Sequence, residues 1–140
     1  MQLEGKIYRD GKFWLVEVPA LDLMTQGSTR DEAIFMIKDA IEELIDCYFD
    51  DNSINIFVND YENDLIGIGC DNIKALFAFS LKRQREKNDF SIREMSAKLD
   101  SNSPNAYARY EKGRTKITLE RYDQIIKAMN PESDTLIRLV

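Results

Sequence analysis

The sequence predicts an α+β protein: a small antiparallel sheet with a packed helix over residues 1–70, followed by an all-α helix-turn-helix unit over residues 71–140. Three observations carry this. Polarity alternates every second residue from Gln2 to Val18, helical spacing with capping signals takes over at Thr29, and charge changes sign near residue 70.

Gln2 to Arg9 alternates Leu3, Gly5 and Ile7 against Gln2, Glu4, Lys6 and Tyr8, and Asp10-Gly11 is a hairpin signal before a second strand, Phe13 to Val18. Pro19 ends that strand, and Leu23 to Gln26 supplies a short third one. Thr29-x-x-Glu32 has the form of a capping box. Behind it, Ala33, Ile34, Ile37, Ile41, Leu44, Ile45 and Tyr48 make the inward stripe of a long helix. Its outer face carries Asp31, Lys38, Asp39, Glu42, Glu43, Asp46 and Asp50, an excess of acid. Ile54 to Val58 and Leu65 to Ile68 are further strand candidates, whose order in the sheet the pattern does not give.

The second half begins with a helix ending in Lys82, Arg83, Arg85 and Lys87. Ser91-x-x-Glu94 caps the next, with Ile92, Met95 and Leu99 inward, and Asp100-Ser101-Asn102 breaks it. Ser103-Pro104 then opens a short helix as N-cap and first-turn proline, and the helix closes on Glu111-Lys112-Gly113. Tyr107 and Tyr110 share a packing face, whereas Asn105 and Arg109 share another with Lys112. A third amphipathic helix runs to Met129. Asparagine pairs with adenine and arginine with guanine in a major groove, so Asn105 and Arg109 are candidate base readers. Ser103, Pro104 and Ala108 complete the reading helix, and Arg93, Lys112, Arg114 and Lys116 are candidate phosphate contacts.

Charge gives this reading weight. Residues 71–140 contain 14 Lys+Arg against 10 Asp+Glu, whereas residues 1–70 contain 5 against 15. The net charge of −6 thus hides a basic half that carries the helix-turn-helix. An ordinary three-helix packing module explains the tyrosine spacing as well, but not the cations bracketing the reading helix.

Two cysteines, Cys47 and Cys70, are too few for a disulfide framework and lack metal-ligand spacing. With no histidine, triads and histidine-based metal sites are excluded. No signal peptide or membrane span is evident, which leads to the expectation of a cytoplasmic protein. Without histidine any enzyme would have to work with carboxylates, Lys, Tyr or Cys, and the expectation is of neither cofactor nor enzymatic activity.

Two segments then carry a resemblance. Gly11-Lys12-Phe13-Trp14-Leu15-Val16-Glu17-Val18-Pro19, with Thr25-Gln26-Gly27-Ser28-Thr29-Arg30-Asp31-Glu32-Ala33 and the amphipathic helix after it, resembles the HicB antitoxin family. Asn105-Ala106-Tyr107-Ala108-Arg109-Tyr110-Glu111-Lys112-Gly113-Arg114 is similar to the phage-repressor-type helix-turn-helix found on one HicB subgroup. The family often has a glycine before the Thr-Gln-Gly segment, where this chain reads Ala20-Leu21-Asp22-Leu23-Met24. The resemblance implies a HicB-like, degenerate ribonuclease H-like first domain without activity. It also implies a HicA-type mRNA-cleaving toxin as partner, and repression of the protein's own operon by binding operator DNA. Asp39, Glu42, Glu43 and Asp46 are then candidate toxin-binding residues, since an acidic surface suits a cationic partner.

Two rivals stand beside it. A nuclease would need carboxylates converging on metal ions, and Glu4, Glu17 and Asp22 show no such convergence in their spacing. A stand-alone helix-turn-helix repressor with an N-terminal ligand-sensing or oligomerisation domain lacks a phosphate loop, because Gly67 and Gly69 alone make no nucleotide motif. Either regulator reads two half-sites as a homodimer or higher oligomer, with Leu136-Ile137-Arg138-Leu139-Val140 a candidate contact.

Overall fold

The computed structural model describes residues 1–99, 103 and 105–140. They form two compact units, Met1–Leu76 and Phe77–Val140.

The first unit is α+β. Strands β1 (Leu3–Asp10), β2 (Phe13–Val18) and β3 (Leu23–Gly27) precede helix α1 (Arg30–Phe49), and β4 (Ile56–Asp60) and β5 (Leu65–Cys70) follow it. All pairings are antiparallel, in the order β3-β2-β1-β5-β4. The second strand pair is thus a hairpin laid beside β1, with β5 inside and β4 at the edge. Facing residues Leu3 and Ile68, Ile7 and Val16, and Val58 and Ile68 share one side of the sheet. On that side Ile7, Val16, Val18, Ile66 and Ile68 are sealed from water together with Ala33, Ile37, Ile41 and Ile45 of α1. Burial of this aliphatic layer is the main stabilising term of the unit.

Local backbone chemistry explains the turns. The β1–β2 loop is Gly11-Lys12, one residue beyond the expected Asp10-Gly11, and Gly11 takes φ +60°. A left-handed first loop position is a glycine position. Asn63 and Asp64, both at φ +59°, turn β4 into β5. After a short 3-10 turn at Pro19–Leu21, Asp22 adopts φ 50°, ψ 46° and donates its N–H to the Pro19 carbonyl at 3.1 Å. An aspartate therefore supplies the left-handed residue for which glycine is the usual choice, at the cost aspartate tolerates better than most.

Gly27 is required by close approach. A Cβ there would lie 2.5 Å from the Ala33 nitrogen, in the first turn of α1. Thr29 caps α1 by accepting from the Glu32 N–H at 3.1 Å. The reciprocal arm differs from the expected box: the Glu32 carboxylate accepts from the Ser28 N–H at 2.6 Å and from the Ser28 hydroxyl, one residue earlier. These bonds hold the Glu32 carboxyl below its ordinary range. Arg30, in the same turn, forms a forked pair with Asp60 at the end of β4.

The second unit contains the C-terminal part of α2 (Ile73–Lys87), then α3 (Ile92–Lys98), α4 (Ala106–Glu111) and α5 (Leu119–Met129). Its core joins Phe77, Phe79 and Leu81 to Met95, Tyr107, Tyr122, Ile125, Ile126 and Met129. Tyr122 packs edge-on against Phe77, ring centroids 5.2 Å apart, and its hydroxyl lies 2.6 Å from Ser80 Oγ. Burial raises the Tyr122 pKa, so this hydroxyl stays protonated and hydrogen-bonded inside the core. Among the described residues no helix is long and apolar enough to cross a membrane.

Candidate nucleic-acid interface

The capping box expected at the start of α3 is present in both directions: Glu94 N–H donates to Ser91 Oγ at 3.0 Å, and Ser91 N–H to the Glu94 carboxylate at 3.1 Å. It holds the Glu94 carboxyl below its usual range. Arg93, in the first turn, is exposed. The expected breaker Asp100-Ser101-Asn102 and the expected first-turn Pro104 lie outside the described residues.

Helix α4 is shorter than the pattern suggests, beginning at Ala106 with Asn105 as its N-cap. Ser103 still makes a capping-type contact, its Oγ accepting from the Asn105 N–H at 3.3 Å. Asn105 caps nothing with its own side chain. Its side chain is exposed, and the i, i+4 spacing sets it on the same side as Arg109, which is also exposed.

The packing face of α4 is Tyr107, Ala108 and Glu111, at 1%, 8% and 1% exposure. Ala108 was expected on the reading face and is not there. At 100° per residue it sits beside Tyr107 and above Glu111, and its methyl is spent in the core. Tyr110 is half-buried at the flank, 6.0 Å from the Arg121 guanidinium.

The helix ends on a double hydrogen bond. Arg114 N–H reaches back to the Arg109 carbonyl at 3.0 Å and Gly113 N–H to Tyr110 at 3.1 Å, with Gly113 at φ +67°. This is the Schellman arrangement, in which a left-handed residue follows the C-cap. Beyond it Lys112, Arg114 and Lys116 are all exposed.

Arg85 was expected among the outward cations of α2 and is instead committed inward. Its Nε and Nη2 donate to the Glu111 carboxylate at 2.9 and 2.6 Å, and Nη1 donates to the Phe90 carbonyl at 2.8 Å. Glu111 holds the guanidinium charged by raising its pKa. Neighbouring Lys82 and Arg83 pair with Glu86. Among the described residues, Lys87 stays exposed at the end of α2, and the exposed cations nearest α4 in sequence are Arg93 and Lys98 before it and Lys112, Arg114 and Lys116 after it.

In the first unit, Asp39 and Glu43 of α1 are exposed, whereas Glu42 and Asp46 are half-buried. Glu42 pairs with Lys38 at 3.7 Å, and one Asp46 carboxylate oxygen is buried with no hydrogen-bond partner. Leu44, expected inward, is 36% exposed, and Phe35 and Met36 stand further out at 63% and 40%. Exposed apolar residues on an acidic helix face were not foreseen. Their i, i+1 spacing breaks no helical pattern, and only the position of Ile37 relative to the sheet puts them outside. Glu4 and Glu17 lie on the sheet face away from α1, Glu17 accepting from Tyr8 Oη at 2.8 Å. Among the described residues, no three potential metal-ligating side chains converge.

Residues 81–136 match the family model described as helix-turn-helix. No curated protein matches the chain. The C-terminal unit is therefore similar, over those residues, to a phage-repressor-like helix-turn-helix, a module whose family suggests DNA-binding transcription regulation.

Proposed function

We propose that this protein is an antitoxin that represses its own operon. Asn105 and Arg109 read operator bases, and Arg93, Ser103, Lys112, Arg114 and Lys116 hold the phosphates on either side. The observation that carries the DNA half is the exposed face of α4. There an asparagine amide not used for capping and a guanidinium stand together, on a helix fixed from behind by Tyr107 and Glu111. Base contacts demand such a face and phosphate contacts surround it.

The antitoxin half rests on the resemblance of the first 70 residues to HicB and on their charge, 5 Lys+Arg against 15 Asp+Glu. A surface of that sign repels RNA and suits the cationic groove of an RNA-cleaving HicA-type toxin, steering encounter and covering the groove once bound. Of the four candidate acids of α1, Asp39 and Glu43 are exposed, which supports them as the residues that meet such a partner.

The test is genetic and physical together. The open reading frame beside this gene should encode a small basic protein that arrests growth when expressed alone, and co-expression of the full chain should restore growth; a neighbour of any other kind counts against the antitoxin reading. The purified chain should also shift DNA taken from immediately upstream of its own gene. A chain that shifts this DNA but does not relieve the arrest is a repressor whose first unit has another task.

A further inference from the structure

We propose that the outer edge of β3 is a strand-addition site, at which an extended segment of a cationic partner protein pairs with the main-chain groups of Met24 and Gln26. The proposal rests on the antitoxin reading above for the identity of that partner.

Strand register fixes which groups are open. The two-residue turn Gly11-Lys12 makes Asp10 and Phe13 a hydrogen-bonded pair, and bonded positions then recur at Tyr8–Leu15 and Lys6–Glu17. The residues of β1 between them turn the other way, and Ile7 N–H donates to the Asp64 carbonyl at 2.9 Å. In β2 it is therefore Trp14, Val16 and Val18 that turn to β3, where they meet Gly27, Thr25 and Leu23. Met24 and Gln26 direct both N–H and C=O away from the sheet. Strand β3 has a neighbour on one side only, and both residues are exposed, Met24 at 58%.

Natural sheets guard such an edge with charge, proline or a bulge. Leu23-Met24-Thr25-Gln26-Gly27 contains no charged residue and no proline, and it pairs with β2 in unbroken register, without a bulge. The opposite edge strand, β4, ends on Asp60, which is tied to Arg30. A bare edge opposite a guarded one marks the side on which the sheet can grow.

Main-chain geometry and charge identify the occupant. A polypeptide offers alternating N–H and C=O groups at strand spacing, and a nucleic acid does not. Acids stand at both ends of the bare strand: exposed Asp22 precedes it, and the first turn of α1, with exposed Asp31 and Glu32, lies against Gly27. Residues 1–70 carry 5 Lys+Arg against 15 Asp+Glu. A second copy would bring the same excess of acid to the same edge, whereas a basic protein meets opposite charge there. The incoming strand bonds to the N–H and C=O of Met24 and Gln26 and lays every second side chain beside Met24, on the sheet face away from α1.

Amide hydrogen exchange on the full chain, alone and with the small basic protein encoded beside the gene, tests this. Alone, the Met24 and Gln26 amides should exchange at rates near those of an open chain, while Thr25 and Gly27, bonded to β2, are slow. In the complex, Met24 and Gln26 should slow by at least about 100-fold. Gln26→Pro removes an outward N–H and leaves the β2–β3 bonds in place, so it should weaken the complex at least about tenfold with little change in melting. Gln26→Thr should bind as wild type. Should Gln26→Pro not fold, the exchange pattern of wild type decides alone. Protection of Met24 and Gln26 in the free chain overturns the proposal, because the edge is then covered by its own chain or by a second copy. Wild-type affinity in a folded Gln26→Pro overturns it too. A complex that forms with both amides still fast refutes strand addition alone, and a chain that binds no basic neighbour refutes the antitoxin reading and this occupant with it.

Discussion

Arg85 of α2 and Glu111, the last residue of α4, are joined inside the second unit by a forked ion pair, with the Glu111 side chain 1% and the Arg85 side chain 13% exposed. The pair places a charge-assisted clamp directly behind the reading helix. Removing one partner strands the other charge in a site with little water, which costs about 3–5 kcal/mol. Arg85→Met and Glu111→Leu should each lower the denaturant midpoint of the second unit sharply. The double variant should recover most of the loss, because two apolar side chains of similar volume replace two satisfied charges. Equal losses in the single and double variants would show that packing, not charge, sets the value of these positions.

On the outward side of the same helix and just beyond its end, three cations and the asparagine separate by their kind of contact. Arg109→Ala and Asn105→Ala should each weaken operator binding by about 1–3 kcal/mol and relax base preference locally. Lys112→Ala and Arg114→Ala should lower affinity on operator and random DNA alike and reduce the salt slope by about one unit each. Titrations at several salt concentrations on both DNAs distinguish the two classes. Ala108→Ser is expected to act through stability rather than base preference, since the methyl is buried.

Much of this was legible in the sequence and some was not, for identifiable reasons. Strand alternation from Leu3 to Val18, the Ser91–Glu94 box and the Gly113 stop depend on neighbours a few residues apart, and all three appear in the structure. Sheet order did not follow, because nothing local tells Leu65–Cys70 to lie against β1 rather than at the edge. Arg85 looked like one more cation in Lys82-Arg83-Gln84-Arg85 until its partner, 26 residues away, was in place. Ala108 was misplaced because the tyrosine spacing suggested a face centred on Tyr107 and Tyr110. The helix is rotated so that Glu111 turns inward instead.

Gly27→Ala should destabilise the first unit by about 1–3 kcal/mol, because the new methyl meets backbone rather than a flexible side chain. The second unit has its own core, so DNA affinity at temperatures below the transition should be unchanged. Calorimetry showing a lowered first-unit transition with an unmoved second one is the expected result. A joint fall of both would mean that the units unfold together.

Acid should loosen the first unit through Glu32 and Asp60. Both carboxyls are held below their ordinary range when folded, Glu32 chiefly by Ser28 and Asp60 chiefly by Arg30. The unfolded chain therefore binds more protons, and stability rises with pH through the acid range. The contribution is complete above the unfolded carboxylate pKa and is lost as pH falls through the folded one. Asp60→Asn and Glu32→Gln should each flatten the acid limb of a stability-against-pH curve while leaving its neutral portion parallel to wild type. An unaltered acid limb in both variants would remove these two groups as its cause.

Partner capture should depend on the acids that α1 leaves in water and on the apolar residues beside them. Asp39 and Glu43 lie four apart on the exposed face, with Phe35 one turn before Asp39. Asp39→Lys/Glu43→Lys reverses the steering charge without touching Ala33, Ile37, Ile41 or Ile45, so the fold should hold. Association with the basic partner should slow, and its rate should lose most of its salt dependence. Phe35→Ala should instead raise the dissociation rate, because an exposed aromatic seated in a partner's pocket is the kind of side chain that holds a complex together. Glu42→Lys should do less than Glu43→Lys, since Glu42 is half-buried and already paired with Lys38. Stopped-flow association and surface dissociation measurements separate these effects. If charge reversal at Asp39 and Glu43 leaves the association rate and its salt dependence as in wild type, the partner docks elsewhere on the first unit and α1 is only the back of its sheet.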